Sequence, residues 1–197
     1  CNVIDELYFA CYSLASMNSG LATLLVCYLF ASAFSSILLS KFNPYICVLF
    51  VKIQLAIALL FSVSLAVISN PLKDQGTLFV ADRLAVTVST FVIGMGLVVV
   101  TFASRSLAAH KNSEKFFVAA MFLVSNTVSL AFSNQAWIFV VSWVGVSLST
   151  VALIGFDKSK ESRKAAQKAF KIFLFGDLAF LLTLVISIVV ARESFSS

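Results

Sequence analysis

The sequence predicts an all-α fold: a polytopic transmembrane helical bundle of about six spans. Three observations carry this. The chain of 197 residues is 60% hydrophobic and only 12% charged, against roughly 45–50% and 25% in soluble domains. Its mean hydropathy is +1.02. Its apolar residues fall in runs of about 20, the length a helix needs to cross a bilayer core of about 30 Å. With 20 Phe but only 7 Gly and 2 Pro, the chain is neither disordered nor collagen-like. Alternating barrel strands would be shorter and two-faced, and backbone in lipid must satisfy its own hydrogen bonds, so the runs are read as helices.

The spans are placed near 21–39, 45–69, 84–104, 116–132, 137–156 and 170–190, within a transmembrane domain of residues 21–197. Residues 1–20 are set apart as an interfacial helix or the frayed start of the first span, because Asp5 and Glu6 interrupt the apolar pattern. They lack the basic leader of a signal peptide. Lys41-Phe42-Asn43-Pro44 is read as a tight turn whose proline starts the second helix. Asn70-Pro71 opens a polar hairpin reaching Arg83. Only Ser133–Ala136 separates the fourth and fifth spans, which makes them antiparallel neighbours.

Lys and Arg are distributed unequally between the two ends of the bundle. One end holds Lys73, Arg83 and Arg192. The other holds Lys41, Arg105, Lys111, Lys115, Lys158, Lys160, Arg163, Lys164, Lys168 and Lys171, with Lys52 inside a span. The positive-inside rule places the second group, including a loop over 158–171, on the cytoplasmic or matrix side. That run is read as a topological anchor and not as a nucleic-acid surface, since no folded soluble domain presents it.

Ionisable residues within a span are expensive and usually face a bundle interior or a water path. Lys52 stands about two turns into the second span and either snorkels to the interface or serves a buried role. Asp177 stands about two turns into the sixth, and a carboxylate has no long stem to snorkel with. It is read as a helix-packing contact or as part of a proton path. Trp143, Gly145 and Gly176 are assigned to helix packing, Gly176 as a point of close approach. The mid-span Ser125, Asn126 and Thr127, and Ser142, Ser147, Ser149 and Thr150, are read as polar glue between helices. Trp137 is read as an interfacial aromatic, His110 as a solvated loop residue. Cys1, Cys11, Cys27 and Cys47 lack metal-ligand spacing, and no phosphate loop, nucleophile elbow or carboxylate pair occurs. The sequence therefore implies no catalytic site of its own, no metal and no cofactor.

From Phe116 to Val190 a more specific pattern runs in order. It comprises Phe116-Phe117, Ser133-Asn134, Ser142-Trp143-Val144-Gly145-Val146-Ser147-Leu148, Leu153-Ile154-Gly155-Phe156, Ala165-Ala166-Gln167-Lys168-Ala169-Phe170 and Gly176-Asp177. Preceded by Asp82-Arg83-Leu84, it resembles the proton-conducting antiporter-like membrane family over roughly residues 80–190. That family includes the distal NuoL subunit of respiratory complex I, Mrp antiporter subunits and DabB of inorganic-carbon accumulation. The resemblance implies a membrane subunit of a larger complex, in a bacterial cytoplasmic or mitochondrial inner membrane. Asp177, Lys168 and Lys52 would be its candidate proton-path residues.

Three departures shape that expectation. Complex I and Mrp members carry Trp-Glu where this chain has Trp143-Val144, and an Arg where it has Leu174. Trp143–Leu148 matches the DabB pattern instead, which leans the resemblance toward that branch. Family members have about fourteen spans built as inverted repeats, so this chain holds only the first part of such a fold, without the central lysine of the seventh span. Its opening Cys fits a processed chain or a fragment, and a second polypeptide is expected to complete it. The expected function is ion translocation coupled to CO2 hydration by a soluble partner. Two alternatives stand beside it: a NuoL-type proton-pumping subunit, and a non-conducting structural subunit.

Overall fold

The computed structural model describes the backbone of residues 2–42, 44–68, 78–107, 113–157 and 159–196, and side chains over 19–42, 45–67, 78–107, 113–157, 159–187 and at 190. Lys73, His110, Lys111, Lys158 and the Asn70-Pro71 turn lie outside the described residues, as do the side chains of Asp5, Glu6, Cys1, Cys11 and Arg192. Six helices follow one another: α1 Asn2–Phe42, α2 Pro44–Ile68, α3 Arg83–Ser106, α4 Ser113–Phe132, α5 Ala136–Ile154 and α6 Lys160–Ser196. Each contains a segment long and apolar enough to cross a membrane. The backbone of residues 2–20 is helical and continuous with the first span.

Local chemistry sets the helix ends. Pro44 opens α2, where its missing N–H costs nothing. Asp82 caps α3 by accepting from the Arg83 N–H at 2.8 Å. Ser159 caps α6, its Oγ accepting from the Ser162 N–H at 3.1 Å. The Lys160–Lys171 stretch, expected as part of a loop, is instead the first turns of α6. Lys, Glu, Arg, Ala and Gln are strong helix formers and nothing in the stretch breaks a helix, so propensity prevails over charge.

The centre of the bundle is α4. It packs against α1, α2, α3 and α5, whereas α6 rests on α5 alone among the described residues. More than half of the α4 span is buried, and none of the α6 span is. The reason is composition: Ala119, Ala120, Ser125 and Ser129 let four neighbours approach closely. Phe117, Met121, Val128 and Phe132 fill the spaces between them. Outward-facing Leu24, Phe91, Phe102, Phe175 and Leu182 are exposed, which suits a lipid-facing rim and not a water-facing one.

Side-chain hydrogen bonds join several of the packed helix pairs. Tyr28 of α1 donates to the Gln54 amide oxygen of α2. Ser62 of α2 and Thr90 of α3 meet at 2.7 Å. Ser125 of α4 donates to the Leu29 carbonyl of α1 at 3.1 Å, and Ser129 meets Ser142 of α5 at 2.9 Å. Without a hydrophobic force between helices in lipid, such contacts and close packing hold the bundle together.

Two connections meet at one end. Val80 N–H donates to Phe132 O at 2.9 Å and Asn134 N–H to Leu78 O at 3.0 Å, forming a bridge between Phe79 and Ser133. The segment before α3 and the α4–α5 turn therefore share an end, the one the charge count finds poor in Lys and Arg.

Gly96 is where α3 meets α4: a Cβ there would lie 2.7 Å from Val124 Cγ2. Val is stiff at χ1 and cannot swing away. At Gly94 the nearest atom, Leu59 Cδ1, would be an ordinary 3.8 Å away. Gly96→Ala is therefore expected to destabilise the bundle by about 1–3 kcal/mol. Gly94→Ala should be neutral, or stabilising by up to about 1 kcal/mol through helix propensity. Unfolding of the two variants in detergent micelles checks the difference.

Candidate functional site

The α5–α6 connection folds α6 back along α5, and Ser162 Oγ donates to Ile154 O at 2.7 Å to tie its start to the end of α5. On α5, Trp143 and Ser147 are four residues apart and share one face. On α6, Asp177 and Phe180 are three apart and share another. These two faces meet. Trp143 Nε1 donates to Asp177 Oδ1 at 2.8 Å, and Ser147 Oγ donates to the same oxygen at 3.2 Å. The indole lies nearly parallel to Phe180, 5.0 Å away at 18°, and to Phe139, 6.1 Å away at 22°, and those two rings also touch each other, 5.8 Å apart, so the three form one cluster. Packing within this ring cluster restricts the indole, so its N–H is aimed before the carboxylate arrives.

Asp177 is half-buried, and Trp143 is 37% exposed. Both bonds fall on Oδ1. No further helix covers the site, since α6 touches only α5 among the described residues. Interhelical hydrogen bonds in membranes contribute about 0.6 kcal/mol on average. An Asp at the centre of a span costs about 2.5–3.5 kcal/mol on insertion scales. Two such bonds offset less than half of that, so they orient the carboxyl group without making it cheap to keep.

The other expected site residues are not gathered here. Lys168 is exposed on α6, nine residues before Asp177, about 13 Å along the helix and on its opposite side. Lys52 is half-buried on α2, which packs on α1, α3 and α4 and not on α5 or α6. Gly145 lies against α4, where a Cβ would come within 2.6 Å of Asn126 Cγ. Asn126 is pinned in turn by its own Nδ2 donating to Phe122 O at 2.8 Å. Gly176, expected at a close helix approach, is different: a Cβ there would meet nothing within 4 Å. Among the described residues α6 packs on α5 alone, and none of them approaches Gly176. Trp137, at the start of α5, is 61% exposed.

Sequence reading assigned Ser147 to general helix packing and passed over Phe139 and Phe180. The available signal was spacing: a Trp and a Ser one turn apart, in a helix joined by a short connection to one bearing an intramembrane Asp.

No family model matches the chain. Over 107 residues, 54% of its length, it is 28% identical to NADH-quinone oxidoreductase subunit L of Buchnera aphidicola, covering 17% of that protein. It is 30% identical over 106 residues to the subunit of the same name in Escherichia coli, 52% of this chain and 17% of that one. It is also 30% identical over 112 residues to a Staphylococcus saprophyticus protein named as antiporter subunit mnhA2, 56% of this chain and 14% of that protein. These similarities support the antiporter-like family. The matched stretch spans about a sixth of the curated relatives' length, and the similarity does not single out the inorganic-carbon branch.

A double-mutant cycle tests the contact. Trp143→Phe keeps a ring in the stack and removes only the N–H, while Asp177→Asn removes the charge. Unfolding in mixed micelles is expected to show a coupling of about 0.6–1.7 kcal/mol between them. Gly176→Ala should be neutral, or stabilising by up to about 1 kcal/mol through helix propensity.

Proposed function

We propose that this chain is a proton-translocating membrane subunit of a larger complex, of the kind represented by NADH-quinone oxidoreductase subunit L, with Asp177 as its proton-exchanging group. The observation that carries this reading is the intramembrane carboxylate presented to α5 by Trp143 and Ser147. The similarity of half the chain to subunit L supports it. In this reading the two donors hold Oδ1 in a fixed direction. Oδ2 then takes and releases the proton, exchanging it with water or with a group on a neighbouring segment. Lys168 and Lys52 are too far apart in the fold to act with Asp177 as one cluster. Each would serve, if at all, as a separate relay toward the basic end.

The basic end of the bundle, from Lys41 to the first turns of α6, is assigned to the cytoplasmic or matrix side of a bacterial cytoplasmic or mitochondrial inner membrane. The partners in this reading are further subunits of the complex, and a second polypeptide or continuation that completes the antiporter fold. The Trp143–Leu148 pattern is what favours the DabB-like alternative, coupled to a soluble carbon-hydrating partner. The relatives matched by sequence favour the quinone-linked one. The two readings separate on co-purification: flavin and iron–sulfur subunits in one case, a single soluble zinc protein in the other. A structural, non-conducting role is disfavoured by the cost of keeping a carboxylate at this depth.

Asp177→Asn is expected to abolish proton-coupled activity in membranes while the complex still assembles, as followed by native electrophoresis. Full activity in that variant removes Asp177 from the mechanism and leaves the structural role.

A further inference from the structure

Along α6, Lys164, Lys168, Lys171, Phe175, Leu178 and Leu182 follow one another at steps of four, three, four, three and four residues. That spacing lines them up on one side of the helix. All six are exposed. The side that meets α5 carries Ser162, Ala166, Asp177 and Phe180 instead, about half a turn round the helix. The row of six therefore points away from the bundle, cationic in its first half and apolar in its second. None of the three ammonium groups has an ion pair or hydrogen bond with a described residue. The carboxylate on the same helix, Glu161, precedes Lys168 by seven residues, about 10 Å along the axis.

The register between α5 and α6 gives the lysines their depth. Ser162 is tied to Ile154, and a Cβ built on Gly155 would stand 3.3 Å from Ala166 Cβ. Further along, Ser147 reaches Asp177. The stretch of α6 between Ala166 and Asp177 thus runs beside the closing turns of α5, within the segment Ala136–Ile154 that is itself apolar enough to cross a membrane. Lys168 and Lys171 stand alongside the end of that span and not beyond it. Charge count alone does not call for this: the positive-inside rule is met by cations on any side of a helix and clear of the hydrocarbon. A lysine here extends its stem toward the interface and needs an anion there.

We infer that this side of α6 binds an anionic phospholipid of the surrounding bilayer, its phosphate between Lys168 and Lys171 and an acyl chain along Phe175, Leu178 and Leu182. A phospholipid presents the same two halves in the same order, anionic head at the interface and hydrocarbon toward the midplane. Its phosphate already lies at the interface. A partner helix would have to bring carboxylates to that depth, at the insertion cost they carry. Clustered Lys beside a span suits anionic headgroups, each Lys adding attraction worth about fivefold in affinity. The inference is independent of the role of Asp177, which faces α5.

The test uses the full chain in detergent micelles, titrated with phosphatidylglycerol or phosphatidylcholine, with bound lipid counted by native mass spectrometry. Wild type is expected to hold phosphatidylglycerol selectively. Lys168→Gln should weaken that binding about fivefold, and Lys168→Gln with Lys171→Gln about 25-fold, with phosphatidylcholine unchanged. Lys168→Arg with Lys171→Arg should keep the selectivity. Arg105→Gln, which removes an exposed cation at the same end of the bundle but on α3, should have no effect. Equal binding of the two lipids by wild type overturns the inference, as does unchanged phosphatidylglycerol binding in the double Gln variant. A photoreactive residue at Leu178 gives a readout in native membranes with both lysines intact. Crosslinked lipid richer in anionic species than the membrane supports the site. Crosslinked lipid in the membrane's own proportions, or a crosslink to polypeptide, overturns it.

Discussion

The bundle depends on one constraint: at membrane depth, water is not there to satisfy a polar group, so the protein must do so itself. Helices meet that demand for the backbone. For side chains the demand shapes the packing, because a buried hydroxyl or amide is costly unless it reaches a carbonyl or a partner on the next helix, Ser89 Oγ being the buried exception among the described side chains. Ser125, Ser129, Ser62 and Tyr28 do this at successive interfaces. On the central helix, α4, small and hydroxyl-bearing residues such as Ala119, Ala120, Ser125 and Ser129 are buried against its neighbours. The most apolar surfaces turn outward, the reverse of a water-soluble protein.

Asp177 is the severest instance of the same constraint. It sits on the helix with the fewest neighbours, and its donors come from a single adjacent helix. Packing in one ring cluster with Phe139 and Phe180 keeps the indole from turning away, so packing energy is converted into a preferred donor direction. The arrangement is asymmetric, with both contacts on one oxygen. Such asymmetry separates an orienting site from a fully compensated structural ion pair.

Much of this was legible in the sequence, and the parts that were not share a cause. Helix number and approximate extent followed from the length of the apolar runs, because charge is so costly in lipid that it collects between them. The prominence of Asp177 followed from the same cost. Lys160–Lys171 was misread as loop because charge marks where a span ends, not where a helix ends; helix propensity continues past the membrane surface. Gly176 meets no neighbour among the described residues, and a glycine in a span reveals permissiveness but not which side of the helix has a neighbour. The pairing of Trp143 and Ser147 with Asp177 depends on the register between α5 and α6, and register is a property of two helices together. The bridge between Phe79 and Ser133 links residues 54 apart in the chain, and no local pattern announces it.

The account stands on Asp177 lying at membrane depth against α5, away from bulk water. Accessibility labelling tests this most directly, in a background with Cys1, Cys11, Cys27 and Cys47 replaced by Ser. In native membranes, Asp177→Cys is expected to react with a membrane-impermeant maleimide far more slowly than Arg163→Cys, whichever side the reagent is applied to. Reaction of the two at equal rates would place residue 177 in bulk solvent and contradict the account.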